Sequence, residues 1–373
     1  MASNKVAKML HFSSTYSEIL QRVDAIDPTN YARTRNFIDG NVSYLSPYIS
    51  RGIISSEFVL QRLLAKGYKV FEIEKFIQEL AWRDYWQQVW VAKGDTIDSD
   101  LKHPQPEVEN YELPRAIIDA KTKIKAIDQA ITDFYDTGYL HNHVRMYVAA
   151  IACNMGKSHW KLPAQWMYYN LLDADWASNA LSWQWVAGSN SNKKYVANQE
   201  NINKYCRTAQ KDTFLDISYK SFETMAIPNV LSKTTVPIFK TSLPKQKQLD
   251  VKPELPTLVY NFYNLDPKWR TELVGANRVL LLEPSHFLKY PIGENSMNFM
   301  LALGKNIQNL QVYVGEFNEL TSAYGIGDVY YKEHPTNTNY KGNEDSREWM
   351  FGVTGYFPSF FAFWKKCKKE LKY

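Results

Sequence analysis

Cysteine is scarce in this sequence. Cys153, Cys206 and Cys367 lie far apart, with no CxxC pair and no grouping with histidine at ligand spacing. That excludes a disulfide framework and cysteine-built metal centres, so no metal is expected and a reducing cytoplasm is the natural home. Long apolar runs are missing too. Nothing reaches the ~20 residues that cross a bilayer, and the opening MASNKVAKMLHFSSTYSEIL has no long apolar stretch of the signal-peptide kind. A soluble chain with no membrane partner is expected. Neither sign of charge dominates: Lys+Arg 44 against Asp+Glu 39 gives a net charge of +5. Such a balance permits a polyanionic partner without demanding one.

Aromatic residues, by contrast, are abundant at 14%, with 11 Trp and 25 Tyr. Large flat side chains suit big cores or a planar ligand. A length of 373 residues suggests two domains. From about Ser14 to Tyr205 the apolar spacing is helical. FVLQRLLAKG and FEIEKFIQELAWRDYWQQVWVAKG both run to a glycine, and HNHVRMYVAAIACNMG continues the theme. Prolines 228, 237, 244, 253 and 256 then mark an irregular connection. Beyond it TLVYNFYNL, RVLLLEPS, LQVYVGEF and DVYYKEHP read as short strands, with NSMNFMLALGKNI as a helix between two of them. The expected fold class is α + α/β. An all-helical domain covers residues 1–212, an irregular linker 213–256, and a small α/β, Rossmann-like domain 257–373. The lone GIG at Gly325–Gly327 does not follow a strand and open a helix, so it carries no dinucleotide signal.

Three constellations stand out. Glu79 and Arg83 lie one helical turn apart beside Trp82, and the plain alternative is an exposed ion pair. Asn142, Arg145 and Met146 share a helical face, offering an amide, a fixed cation and a thioether to a polar planar group. His141 and His143 flank that face and have no partners at metal-ligand spacing. The third is LLDADWASNALSWQWVAG, where Asp173 and Asp175 stand beside Asn179 and the indoles of Trp176, Trp183 and Trp185.

Taken in order, SPYISRG, ELAWRDYW, TGYLHNHVRM and DADWASNALSWQW resemble the FAD-binding helical domain of the photolyase/cryptochrome family. Upstream, YARTRNFIDGNVSYLSPYISRGIIS resembles that family's entry to the adenine and phosphates, so the likeness runs from about Tyr31 to Tyr205. By this resemblance FAD is the cofactor. Tyr31, Ser43, Leu45 and Ser46 line its diphosphate and ribose side, where backbone N–H groups and hydroxyls suit phosphate. Arg83 belongs to the same cofactor set. Arg145 pairs with Asp173 beside the isoalloxazine, Asp175 meets the ring's polar edge, and Asn179 faces its N5. Glu79, Trp82, Asn142, Met146 and Trp185 then face a lesion pocket, the tryptophans sandwiching a flipped pyrimidine dimer. Trp183 and Trp160 match the inner members of an electron-hopping chain, and Tyr111 or another aromatic takes the outer place. Arg35, His143, Lys193 and Lys194 are the DNA-backbone candidates.

The implied activity is light-driven repair. Excited reduced FAD passes an electron to a cyclobutane pyrimidine dimer in UV-damaged DNA, and the electron returns after the ring opens. The alternative is a cryptochrome-like blue-light sensor acting on a protein partner. Asn142, Met146 and Asn179 carry the repair reading. The shallow basic charge together with Tyr44, where the family usually has arginine, carries the other, and His143, where the family has a basic residue, weakens the electrostatic case for DNA. Trp176 stands where a smaller residue is usual. In this family an α/β antenna domain precedes the helical one. Here the α/β segment follows it, either as that domain permuted or as an unrelated accessory. A second, antenna chromophore has no matched residues.

Overall fold

A computed structural model describes residues 11–372. Its chain divides into two compact units that are not contiguous in sequence. One holds the described residues through Phe12, Asp27–Val42 and Lys93–Phe239. The other holds Ser13–Ile26, Ser43–Ala92 and the chain from Lys240 onward. The linear division at 212 and 257 is therefore not how the compact units fall. The helix Val70–Lys93 groups with the C-terminal α/β segment, and the connection through Phe239 groups with the helical unit.

The first unit is helical. Lys125–Thr137 stops at Gly138, whose φ of 65° supplies the left-handed cap. Asn142–Ala150 runs on into a π-helical turn at Ile151–Met155. Both Asn142–Ala150 and Lys161–Asn170 pack against Trp176–Ala187, which is buried on nearly every side. Such a helix is apolar all round because it crosses a core. The irregular connection adds one short pairing, β1 (Leu113–Pro114) antiparallel to β2 (Thr234–Thr235).

The second unit is built on a parallel five-stranded sheet. Its strands are β3 (Thr257–Tyr260), β4 (Asn277–Leu282), β5 (Leu310–Val314), β6 (Val329–Lys332) and β7 (Asn343–Asp345), in spatial order β5-β4-β3-β6-β7. The order reverses between β3 and β6, as in half of a doubly wound fold. Central β3 and β4 are buried almost throughout, which is why they read as unbroken apolar runs. Val259, Val279, Leu281, Phe317, Leu320 and Val329 form the core on one face. β7 is a short polar edge, a form that discourages edge-to-edge pairing. Gly325 caps the helix Phe317–Tyr324 with φ 63°, which accounts for the GIG.

In the same unit Ser55 caps Ser56–Ala65 by accepting from the Phe58 N–H at 2.9 Å. The helix Val70–Lys93 follows. Past Leu80 it is buried from Asp84 through Trp90. Phe360–Cys367, the last helix, presents Phe360, Phe363, Trp364 and Cys367 inward. Its Phe360 ring stacks on Trp82.

Candidate functional site

In the helical unit the site is set by two helix starts and the loop between helices. Arg145 sits in the first turns of Asn142–Ala150 and is aimed by its own Nε, which donates to the Leu140 carbonyl at 2.8 Å. Its two terminal nitrogens fork onto Asp173, at 3.0 Å to Oδ2 and 3.4 Å to Oδ1. Asp173 is buried in the loop between Lys161–Asn170 and Trp176–Ala187. A buried carboxylate needs such a fork, because desolvation otherwise outweighs what one cation returns. Next along, buried Asp175 caps Trp176–Ala187 by accepting from the Ser178 N–H at 2.9 Å. One turn later the Asn179 amide nitrogen donates to the Ala164 carbonyl at 2.8 Å, leaving its oxygen as the remaining polar end. The Ser178 hydroxyl is buried with no hydrogen-bond partner among the described residues. A partnerless buried hydroxyl between a carboxylate and an amide fits a polar ligand with donors and acceptors of its own, as a flavin ring edge has.

Asn142 is exposed, while Arg145 and Met146 are half-buried on the same face, so the three expected neighbours do share a surface. His141 caps their helix by accepting from the His143 N–H at 3.1 Å. Burial, then the positive charge of its neighbours, pushes His141 down to about 4. His143 lies against Tyr147 and Tyr205, ring centroids 4.9 and 4.7 Å away, and burial holds it at about 4 too. Its Nε2 is shut off from solvent. A neutral, packed ring is not the exposed cation expected for a DNA backbone contact.

The other DNA candidates divide. Lys193 is exposed. Lys194 pairs with Glu107 at 2.7 Å, and Lys157 pairs with the same carboxylate, holding Glu107 down at about 2. Arg35 is half-buried and donates to the Ala32 carbonyl at 2.9 Å. Tyr31, its neighbour, lies on Pro28–Thr34, which Asp27 caps.

The tryptophans of LLDADWASNALSWQW separate by role. Trp176 and Trp183 are core, whereas Trp185 is 40% exposed. Trp176 donates to Asp98 at 2.6 Å and lies 6.5 Å from Trp160. Trp160, fully buried, donates its Nε1 to Asp100 at 2.8 Å. His159 lies 5.7 Å from the Trp160 ring and stacks at 5.1 Å on Tyr111, which is 72% exposed. Trp160 is thus joined to the surface through two further rings. Only Tyr111 of that pair was expected from the sequence.

The α/β-bearing unit holds the remaining candidates. Ser43 and Ser46 are half-buried and Leu45 is buried at the entry to the helix Ser46–Ser50. Between them Tyr44 adopts φ 54° and Leu45 returns to right-handed φ −93°. Such a left-then-right pair gathers successive N–H groups into a concavity for anions. Arg83 braces this turn, donating to Ser50 Oγ at 2.8 Å and the Ser46 carbonyl at 3.5 Å. Glu79 pairs with Lys75 at 3.0 Å, one turn before it, a partner not foreseen from the sequence although it lies at the same spacing as Arg83. Trp82 stacks face to face on Phe360, centroids 3.8 Å apart.

Residues 76–215 match a family model described as the FAD binding domain of DNA photolyase. The deoxyribodipyrimidine photo-lyase of Alkalihalophilus pseudofirmus is 28% identical over 170 residues, covering 43% of this chain and 34% of its own. That of Streptomyces griseus is 30% identical over 154 residues, covering 41% and 33%. The chain thus spans about a third of the length of these curated relatives. Among solved structures, a Synechocystis cryptochrome is 23% identical with a TM-score of 0.46, covering 52% of this chain and 44% of its own. No group of metal-ligating side chains occurs among the described residues, and no described helix is long and apolar enough to cross a membrane.

Proposed function

We propose that this chain, whose residues 76–215 match the FAD binding domain of DNA photolyase, is a light-driven repair enzyme for cyclobutane pyrimidine dimers in DNA. The observation that carries the reading is the Arg145–Asp173 fork, with Asp175, Ser178 and Asn179 lined up after it in a FAD-binding segment. When bound, reduced FAD would supply the photo-excited electron for dimer cleavage. Everything else falls to the chain. Arg145 and Asp173 hold a fixed dipole beside the ring, and Asp175 and Asn179 present acceptors to its polar edge. In the other unit, taken by itself, the turn at Tyr44 and Leu45 gathers N–H groups that suit an anion such as a diphosphate. Asn142, Met146 and exposed Trp185 are the side chains of the helical unit left to meet an incoming base. No residue need act as general acid or base.

A sensor is the second reading, and specific packing favours it. His143 is neutral and packed against Tyr147 and Tyr205, Lys194 is committed to Glu107, and one face of Trp82 is already covered by Phe360. Each removes something DNA repair would use. The deciding experiment irradiates reduced protein with a defined thymine-dimer oligonucleotide, beside a dark control. Repair only in light establishes the enzyme. A flavin-loaded, photoreducible protein that leaves the dimer intact would transfer the assignment to the sensor.

A further inference from the structure

The last helix, Phe360–Cys367, has two unlike faces. Phe360, Phe363, Trp364 and Cys367 recur at i, i+3, i+4 and i+7 and are buried. The anchorage is firm, since Phe360 lies flat on Trp82 and Phe363 packs 5.7 Å from Tyr85. The opposite face carries Phe361, 68% exposed, with exposed Lys365 and Lys366. Lys369 and Lys372 continue the exposed series, and Tyr356 is exposed just upstream. Lys368 is bound to Glu74, and the carboxylate of Glu370 accepts from the Gly352 N–H. Four lysines therefore remain at the surface beside two exposed aromatic rings.

We propose that this face is a nucleic-acid contact surface, with lysines on the phosphates and Phe361 and Tyr356 as an aromatic edge for an unstacked base. The choice of DNA as the polyanion rests on the repair reading. The surface itself rests on the charge and the rings. Clustered cations suit a backbone of evenly spaced phosphates, and exposed aromatic rings among them suit base stacking rather than simple solubility. A lipid surface fits less well, because the helix has already buried its apolar face and offers a bilayer one phenylalanine.

The test measures binding of the full, flavin-loaded chain to a dimer-containing duplex and to the same duplex undamaged, over a range of salt. Wild type is compared with Lys365→Gln, Lys366→Gln and Lys369→Gln combined, and separately with Phe361→Ala. Each phosphate deprived of its lysine should flatten the log–log salt slope by about 0.9 and weaken binding roughly fivefold near 0.15 M salt. The triple variant should weaken in this way equally on both duplexes, with preference for damage and thermal stability kept. Unchanged slope and affinity on both duplexes would overturn the proposal. Wild type that binds both duplexes alike fails the repair reading, yet its salt slope still tests the lysines. Wild type that binds neither overturns both.

Discussion

Arg145 and Asp173 meet as a fork, two guanidinium nitrogens on two carboxylate oxygens, with the carboxylate the more deeply buried partner. Geometry of that kind is specific as well as strong, since a lysine could not reproduce it. Asp173→Ala should cost roughly 3 kcal/mol of stability, because it strands a partly buried cation. It should also empty the flavin site, read as loss of yellow colour in purified protein. Asp173→Asn keeps the shape and one acceptor, so it should unfold later than the alanine variant in a thermal melt. Full flavin content in the alanine variant would show that the pair is not part of the cofactor site.

Phe360 stacks on Trp82 within 11° of parallel. Both rings also touch Tyr85, so removing one opens a void among aromatics rather than at a surface. Phe360→Ala should therefore destabilise by about 3–5 kcal/mol. Phe360→Leu should recover more than half of that, since it refills most of the volume. Equal denaturant midpoints for wild type and Phe360→Ala would mean the helix is only loosely docked. The same variant uncovers a face of Trp82, so any gain in its binding of dimer DNA would identify Phe360 as a cover.

Much of this was legible in the sequence, and the failures share one cause. β3 to β6 were visible because buried parallel strands are continuous apolar runs, and the long helices were visible from their spacing and terminal glycines. β7, reading Asn-Glu-Asp, carries no apolar signal because it is an edge. What stayed hidden is contact between distant segments. The Asp84 carboxylate accepts from the Met350 N–H at 2.9 Å, Arg347 donates to Gln87 at 2.7 Å, and the Gly355 N–H donates to Gln88 at 3.1 Å. These polar residues on the helix Val70–Lys93 look locally like a solvated stripe. They tie that helix to the chain's last segment, which no local pattern announces, and so the compact units ignore the linear division. At the site, Arg145 and Asp173 were reachable through the family resemblance. Lys75, Ser178, Asp100 and Phe360 were not, because each acts as a neighbour's partner rather than as part of a motif.

The rings of Tyr111, His159 and Trp160 bear on photoreduction. Successive centroids are 5.1 and 5.7 Å apart, ending at the exposed Tyr111. Asp100, hydrogen-bonded to the Trp160 indole, stabilises positive charge there by Coulomb attraction. Trp160→Phe should abolish light-driven flavin reduction in the presence of an external reductant, followed by bleaching of the flavin absorption. Tyr111→Phe keeps the stack but is much harder to oxidise, so bleaching should slow while flavin content holds. A rate unchanged by Tyr111→Phe would exclude Tyr111 as the outer ring. In both variants, repair by chemically reduced protein should persist, since the excited electron does not travel this way.

Acid should unfold the protein sooner than its carboxylates alone would suggest. Burial pushes His141 and His143 down to about 4 and His286 to about 3, and sends His334 well below 6.5. In each case the folded value lies below the unfolded one, so the unfolded chain takes up the proton first. Their contribution is complete above pH 6.5 and drains away as pH falls through their folded values. Asp84 works the other way. Burial raises it to about 6, so its neutral form adds stability as pH drops from 6 towards 3.8. Glu283, raised for the same reason, acts in that direction too. Four histidines outweigh the two acids, and the unfolding temperature should decline steadily from pH 6.5 to 4. His143→Phe preserves the ring against Tyr147 and Tyr205 while removing one titration. Its unfolding temperature should fall less steeply across that window, and a slope equal to wild type would mean His143 is protonated at no cost in the folded chain.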